Sequence, residues 1–125
     1  MTESIAIAIG GALGALSRFW LGRVADAWVG TAFPWGILLV NVLGSFLIGI
    51  AFVLMVERSG LSPVWRAITM TGFLGAFTTF STFSLQTLAL IQEDRFLAAA
   101  GYVIASVVVC VAAAWGGMMI ARLPG

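Results

Sequence analysis

The sequence predicts an all-α membrane protein with four transmembrane helices, the third of them broken. Three observations predict it. Of 125 residues, 62% are hydrophobic and only 9% charged, where a soluble domain averages about 25% charged. The ionisable residues divide the chain into four apolar runs, Ile5 to about Gly22, Ala27 to Val56, Ala67 to Gln92 and Phe96 to Ala121. A bilayer crossing needs roughly 20 such residues. The third run holds the string GFLGAFTTFSTFS, from Gly72 to Ser84. Two glycines loosen the helix there, and the hydroxyls behind them need partners other than lipid tails. Such a segment is tolerated at membrane depth only where it packs on protein or lines a cavity. Nothing remains for a soluble domain, so residues 1–125 read as one four-helix unit with short loops.

The first helix carries Gly10, Gly14, Ser17 and Arg18 close to one face. Gly10-x-x-x-Gly14 lets another backbone approach closely. It has no G-x-G-x-x-G register and no preceding strand, so it is not a dinucleotide fingerprint. A positive stretch before the apolar run is missing, so the run is expected to stay as a span and not to be cleaved as a signal peptide. Arg18 is expected near the helix end. It is either an interface anchor that snorkels or a charge that draws anions into a vestibule.

In the second helix Pro34 is expected in the first turn, where its missing N–H does no harm. Asn41 follows further in, with Gly44, Ser45 and Gly49 on the adjoining face. One amide in an apolar helix is expensive unless paired. It is either interhelical glue or a hydrogen-bond donor facing a pore.

A polar turn is expected at Glu57–Leu61. Ser62-Pro63 then offers an N-cap and a proline at the first helical position. Along the third helix Phe73, Phe77 and Phe80 are spaced i, i+4, i+7. Phe80 and Phe83 are spaced i, i+3, so their rings are expected to lie near each other. Thr79, Thr82 and Gln86 form a polar stripe by the same logic. An aromatic stripe at this spacing is ordinarily packing. The interleaved hydroxyls are what point to a path.

After a short turn at Glu93-Asp94-Arg95, the fourth helix presents Tyr102, Ser106, Cys110, Ala113, Ala114 and Gly117 along one stripe. The chain has no duplicated halves, so any two-fold symmetry needed for transport must come from a second copy. Arginine placement agrees. Lysine is absent, and four crossings put Arg58, Arg66 and Arg122 on one side and Arg18, Arg23 and Arg95 on the other. Orientation follows an imbalance of such charges. A three-to-three count predicts insertion both ways, a dual topology, and two oppositely inserted copies can then form an antiparallel homodimer.

The chemistry open to the chain is narrow. There is no histidine, and Cys110 stands alone, so neither an intrachain disulfide nor a thiol metal cluster is possible. The acids Glu3, Asp26, Glu57, Glu93 and Asp94 fall near helix ends or turns, and nothing beside the many hydroxyls would activate one. An enzyme is not expected. A net charge of +1 without a basic cluster gives no reason to expect nucleic acid. A small multidrug-resistance exporter, also four helices, is the alternative, but that family depends on a glutamate embedded in its first helix and none follows Glu3 here. A non-conducting scaffold would not need Asn41 and the Phe/Thr/Ser string on a common path. What remains suits a small anion, met by amide and hydroxyl donors and by the positive edges of aromatic rings. These bind weakly enough to release it.

Gly10-Gly11-x-x-Gly14-x-x-x-Arg18, Pro34-x-Gly36, Asn41-x-x-Gly44, the TGFLG string from Thr71 and the TTFSTFS string from Thr78 resemble the fluoride channels called Fluc or CrcB. Gly101-Tyr102 and Ser106 add to the match, which covers nearly the whole chain. The resemblance implies an antiparallel dimer with two fluoride pores in a bacterial inner membrane, exporting toxic fluoride passively. It implies that Asn41 donates to fluoride and that Phe80 and Phe83 line the pathway with ring edges. Ser81, Thr82, Tyr102 and Ser106 would lie along or beside it. It also implies a structural Na+ on the dimer axis, bound by the carbonyls of Gly75 and Thr78 from both copies. Three features depart from the family pattern. Ala76 replaces a second glycine, Gln86 a common glutamate, and Cys110 and Ala114 hydroxyl residues of some relatives.

Overall fold

The computed structural model describes residues 1–58 and 61–124. Four helical spans in it are long and apolar enough to cross a membrane: Thr2–Val29, Trp35–Glu57, Pro63–Gln92 and Phe96–Ala121. We call the first α1 and the second α2. The second is α-helical through Phe52 and π-helical over Val53–Glu57. The third span is divided. Its first part, α3 (63–77), is α-helical at Pro63–Arg66, π-helical at Ala67–Leu74 and closes with one turn at Gly75–Phe77. Its second part is α4 (Phe80–Gln92). The fourth span is α5 (Phe96–Ala121).

Several boundaries differ from those expected. The first helix runs on past Gly22 to Val29, because neither Arg23 nor Asp26 breaks a helix. Arg18 therefore lies well inside α1 and not near its end. Pro34 sits one position before the second helix, which starts at Trp35. Its carbonyl accepts from the Leu38 N–H at 3.2 Å. Ser62 and Pro63 open the third span as expected, though the Ser62 side chain makes no capping bond. Of the polar turn expected at Glu57–Leu61, Ser59 and Gly60 lie outside the described residues.

Small residues set the packing. α1 lies along the π-helical stretch of α3. A Cβ on Gly10 would run into the Ile68 carbonyl oxygen, and one on Gly14 into that of Phe73. The two backbones touch, and only glycine permits it. α2 and α5 meet in the same way, with Gly49 against the Ala114 carbonyl and Gly117 against that of Phe46. Between α4 and α5, Phe83, Leu90, Ala99 and Tyr102 form a buried cluster, joined by Phe33 and Leu38. Leu13, Leu16 and Trp20 on α1 and Ile104, Val108 and Trp115 on α5 point outward, as lipid-facing side chains do.

Charged groups tie the ends. Arg122 grips Glu57 with two hydrogen bonds, Nε to Oε1 at 2.9 Å and Nη2 to Oε2 at 2.6 Å. Arg58 Nη2 donates to the Leu123 carbonyl at 3.2 Å. At the opposite end, Arg95 donates to the Ala32 carbonyl.

Candidate functional site

The site is built around two residues. Thr78 (φ −86°, ψ 157°) and Thr79 (φ −150°, ψ 119°) are extended, so the helical bond pattern lapses between Phe77 and Phe80. Backbone groups freed at membrane depth must find other partners. Asn41 supplies two of them. Its Oδ1 accepts from the Thr79 N–H at 2.8 Å, and its Nδ2 donates to the Thr79 carbonyl at 3.1 Å. This is the pairing a neighbouring strand would give, made here by one side chain from α2. Arg18 supplies another. Its Nη1 donates to the Ala76 carbonyl at 2.9 Å and lies 3.5 Å from that of Thr78. A cation at the C-terminal end of a helix is also favoured by the helix dipole.

The restart at Phe80 is capped from within. Thr79 Oγ1 accepts from the Thr82 N–H at 3.2 Å and donates to Thr82 Oγ1 at 3.0 Å. Ser81 Oγ lies 3.4 Å from the same oxygen. Thr78 Oγ1 turns back to the Leu74 carbonyl at 3.2 Å. Much of the hydroxyl string therefore holds the break. Gly44 makes room for it, since a Cβ there would strike Thr78 Cγ2.

A cavity of about 400 Å³ opens beside the break. Of the pore and cation candidates expected from sequence, Asn41, Gly75, Thr78, Phe80, Phe83 and Ser106 line it, together with Gly44, Ser45, Thr79 and Cys110. Among the described residues, no charged side chain does. The Phe80 and Phe83 rings are 5.3 Å apart and tilted by 50°. Ser106 is nearly buried, and its Oγ has no hydrogen-bond partner. An unpaired hydroxyl in a cavity costs about 1–3 kcal/mol, and a polar guest would remove that cost. Neutral donors and ring edges around an uncharged space suit an anion that must bind and leave.

Tyr102 stands behind Phe83, ring centroids 5.1 Å apart, and donates to Gln86 Oε1 at 2.7 Å. Gln86 also lines a second cavity of about 320 Å³, with Asp26, Thr31, Phe33, Glu93 and Arg95. Tyr102, Ser81 and Thr82 do not line the larger cavity. Arg18 reaches the break from the α1 side. Its contact with Ala76 was not legible in sequence, because spacing within α1 carries nothing about a partner 58 positions away. The cavity role of Thr79 was also missed. It reads as one member of a polar stripe until the helix is seen to stop.

Among the described residues, no group of three or more His, Cys, Asp or Glu could hold a metal ion. A cation here would have to rest on carbonyls. Thr79 gives its N–H to Asn41 and not to Gly75, which leaves the Gly75 carbonyl without its regular helical donor.

A family model described as "CrcB-like protein, Camphor Resistance (CrcB)" matches residues 5–118. A protein of Methylococcus capsulatus named "Fluoride-specific ion channel FluC" is 54% identical over 117 residues, which cover 94% of this chain and 51% of that protein. Proteins of the same name match at 49% over 121 residues in Hahella chejuensis, covering 94% and 92%, and at 44% over 122 residues in Geobacter sulfurreducens, covering 98% of both. The chain thus spans about half the length of the Methylococcus protein and nearly all of the other two.

Proposed function

The chain belongs to the CrcB-like family, and from that premise we propose that it is a fluoride-selective channel. It is a multi-pass membrane protein of a channel family, not an enzyme. The observation that carries the proposal is the uncharged cavity at the break, with a buried, unpartnered Ser106 hydroxyl in its wall.

Fluoride entering this cavity must exchange water for protein donors. Asn41 uses one of its two amide hydrogens on Thr79 and has a second to give. Ser106 offers its hydroxyl. Phe80 and Phe83 offer ring edges, which carry partial positive charge. None of these is a full charge, so the ion is held loosely and moves on. Ser81 and Thr82 act from beside the path, through the cap that orients Phe80 and Phe83. Tyr102 backs the Phe83 ring. Arg18 raises the local positive potential and holds the break open to the vestibule. Flux needs no energy input and runs down the fluoride gradient, outward across a bacterial inner membrane.

The working unit is proposed to be an antiparallel homodimer with two pores, each copy contributing a broken third helix. Phe80 supports this. It sits at the cavity edge yet is 77% exposed, as expected of a wall that a second copy completes. A structural Na+ is proposed on the dimer axis, held by the Gly75 and Thr78 carbonyls of both copies. The donor left off Gly75 supports it. A cation there would offset the negative field of carbonyls facing an anion path.

Liposomes loaded with fluoride are expected to discharge through the purified protein, and chloride-loaded ones are not. Asn41→Asp should abolish flux, since a carboxylate repels the anion and has no N–H. Phe80→Ile should slow it strongly. Unchanged flux in both variants would remove these residues from the mechanism.

A further inference from the structure

We infer that Cys110 is a covalent modification site in the wall of the anion route, open to small neutral thiol-reactive molecules. The inference rests on the channel reading. Cys110 lies one helical turn beyond Ser106 on α5, and residues at i and i+4 share a face. Both line the 400 Å³ cavity. Ser106 is 9% exposed and its Oγ has no partner, so this wall is one where a guest is expected to bind. The Cys110 thiol is free and only partly buried. It is the chain's one cysteine, so a thiol reagent has a single target. Ile48, Val107 and Val111 surround this part of the cavity, which admits a small neutral reagent more readily than a charged one.

The reaction with methyl methanethiosulfonate is simple. The Cys110 sulfur attacks the S-methyl sulfur, and a Cys110–S–S–CH3 disulfide forms as the sulfur–sulfonyl bond breaks. Methanesulfinate leaves with the bonding electron pair, and the thiol proton goes to solvent. The added S-methyl group stands in the space beside Ser106 and narrows the route.

The test uses the full chain in fluoride-loaded liposomes. Treatment is expected to raise the intact mass by one S-methyl group and to reduce fluoride efflux to that of protein-free liposomes. Dithiothreitol should restore both. Labelling should be slower in fluoride than in gluconate of equal ionic strength, which a lipid-facing thiol would not show. Cys110→Ser, compared with its own untreated rate, should neither gain mass nor lose flux. Labelled protein with unchanged flux would overturn the inference. So would folded protein that resists labelling while detergent-unfolded protein accepts it, or a Cys110→Ser variant that is still inhibited. If the untreated protein passes no fluoride, the channel reading fails and takes this inference with it. Flux that is present but insensitive defeats this inference alone.

Discussion

Asn41 shows how much one side chain can do. The sequence left it between interhelical glue and pore donor. The geometry makes it glue to a particular residue, with an amide hydrogen to spare. Asn41→Ala would leave the Thr79 N–H and carbonyl unpaired at membrane depth. That should cost about 1–3 kcal/mol, read as a lower unfolding midpoint in detergent. Asn41→Asp keeps the acceptor for the Thr79 N–H, so it should lose flux more completely than it loses stability. Thr79→Ala removes the helix cap at Phe80 and should cost about 1 kcal/mol in the same assay. Thr79→Ser should restore most of it. If flux and stability fall in parallel in Asn41→Ala and Asn41→Asp, Asn41 is only structural.

The element that matters is the interrupted third span. Its extended pair is surrounded by parts from two other helices: Gly44 and Asn41 from α2, and Arg18 from α1. Gly44→Ala should displace Thr78 and sharply reduce flux. On α1, Gly14→Ala should disrupt packing against Phe73, whereas Gly11→Ala should be tolerated because its nearest neighbours lie at 3.9 and 4.0 Å. Equal expression and melting of those two variants would show that the close approach is not tight. Arg18→Gln keeps a donor but removes the charge. Amide exchange at residues 78–80 is expected to rise little with it and markedly with Arg18→Ala. An equally marked rise with both would mean that charge, and not hydrogen bonding, secures the break, and no rise with either would mean that Arg18 does not secure it. The two glycines and the run of hydroxyls made a weakness in this span legible. Which residues leave the helix, and that the hydroxyls largely cap the restart, was not, since that depends on neighbours from elsewhere in the chain.

For the whole molecule the open issue is orientation. With Arg18 occupied inside α1, the arginines near span ends become Arg58, Arg66 and Arg122 against Arg23 and Arg95. That imbalance is slight, and both orientations are still expected in one membrane. Tags at either terminus should be reached from both sides. Two lysines added within residues 57–62 should fix one orientation and lower activity, and a partner biased the other way should restore it. A single orientation for the unaltered chain would sink the antiparallel dimer.

Composition and the spacing of ionisable residues were enough by themselves to set four membrane spans. Hydropathy is a property of the chain and needs no partner. The Phe/Thr/Ser string and Asn41 were legible as a family pattern for the same reason. That the family is one of ion channels and not of enzymes is shown by the relatives. The tertiary structure alone decided what those groups touch. It paired Asn41 with Thr79, turned Arg18 onto Ala76, and left Ser106 Oγ unpartnered in the cavity wall. Each of these depends on backbone approach between helices distant in sequence, and periodicity within one helix cannot encode that.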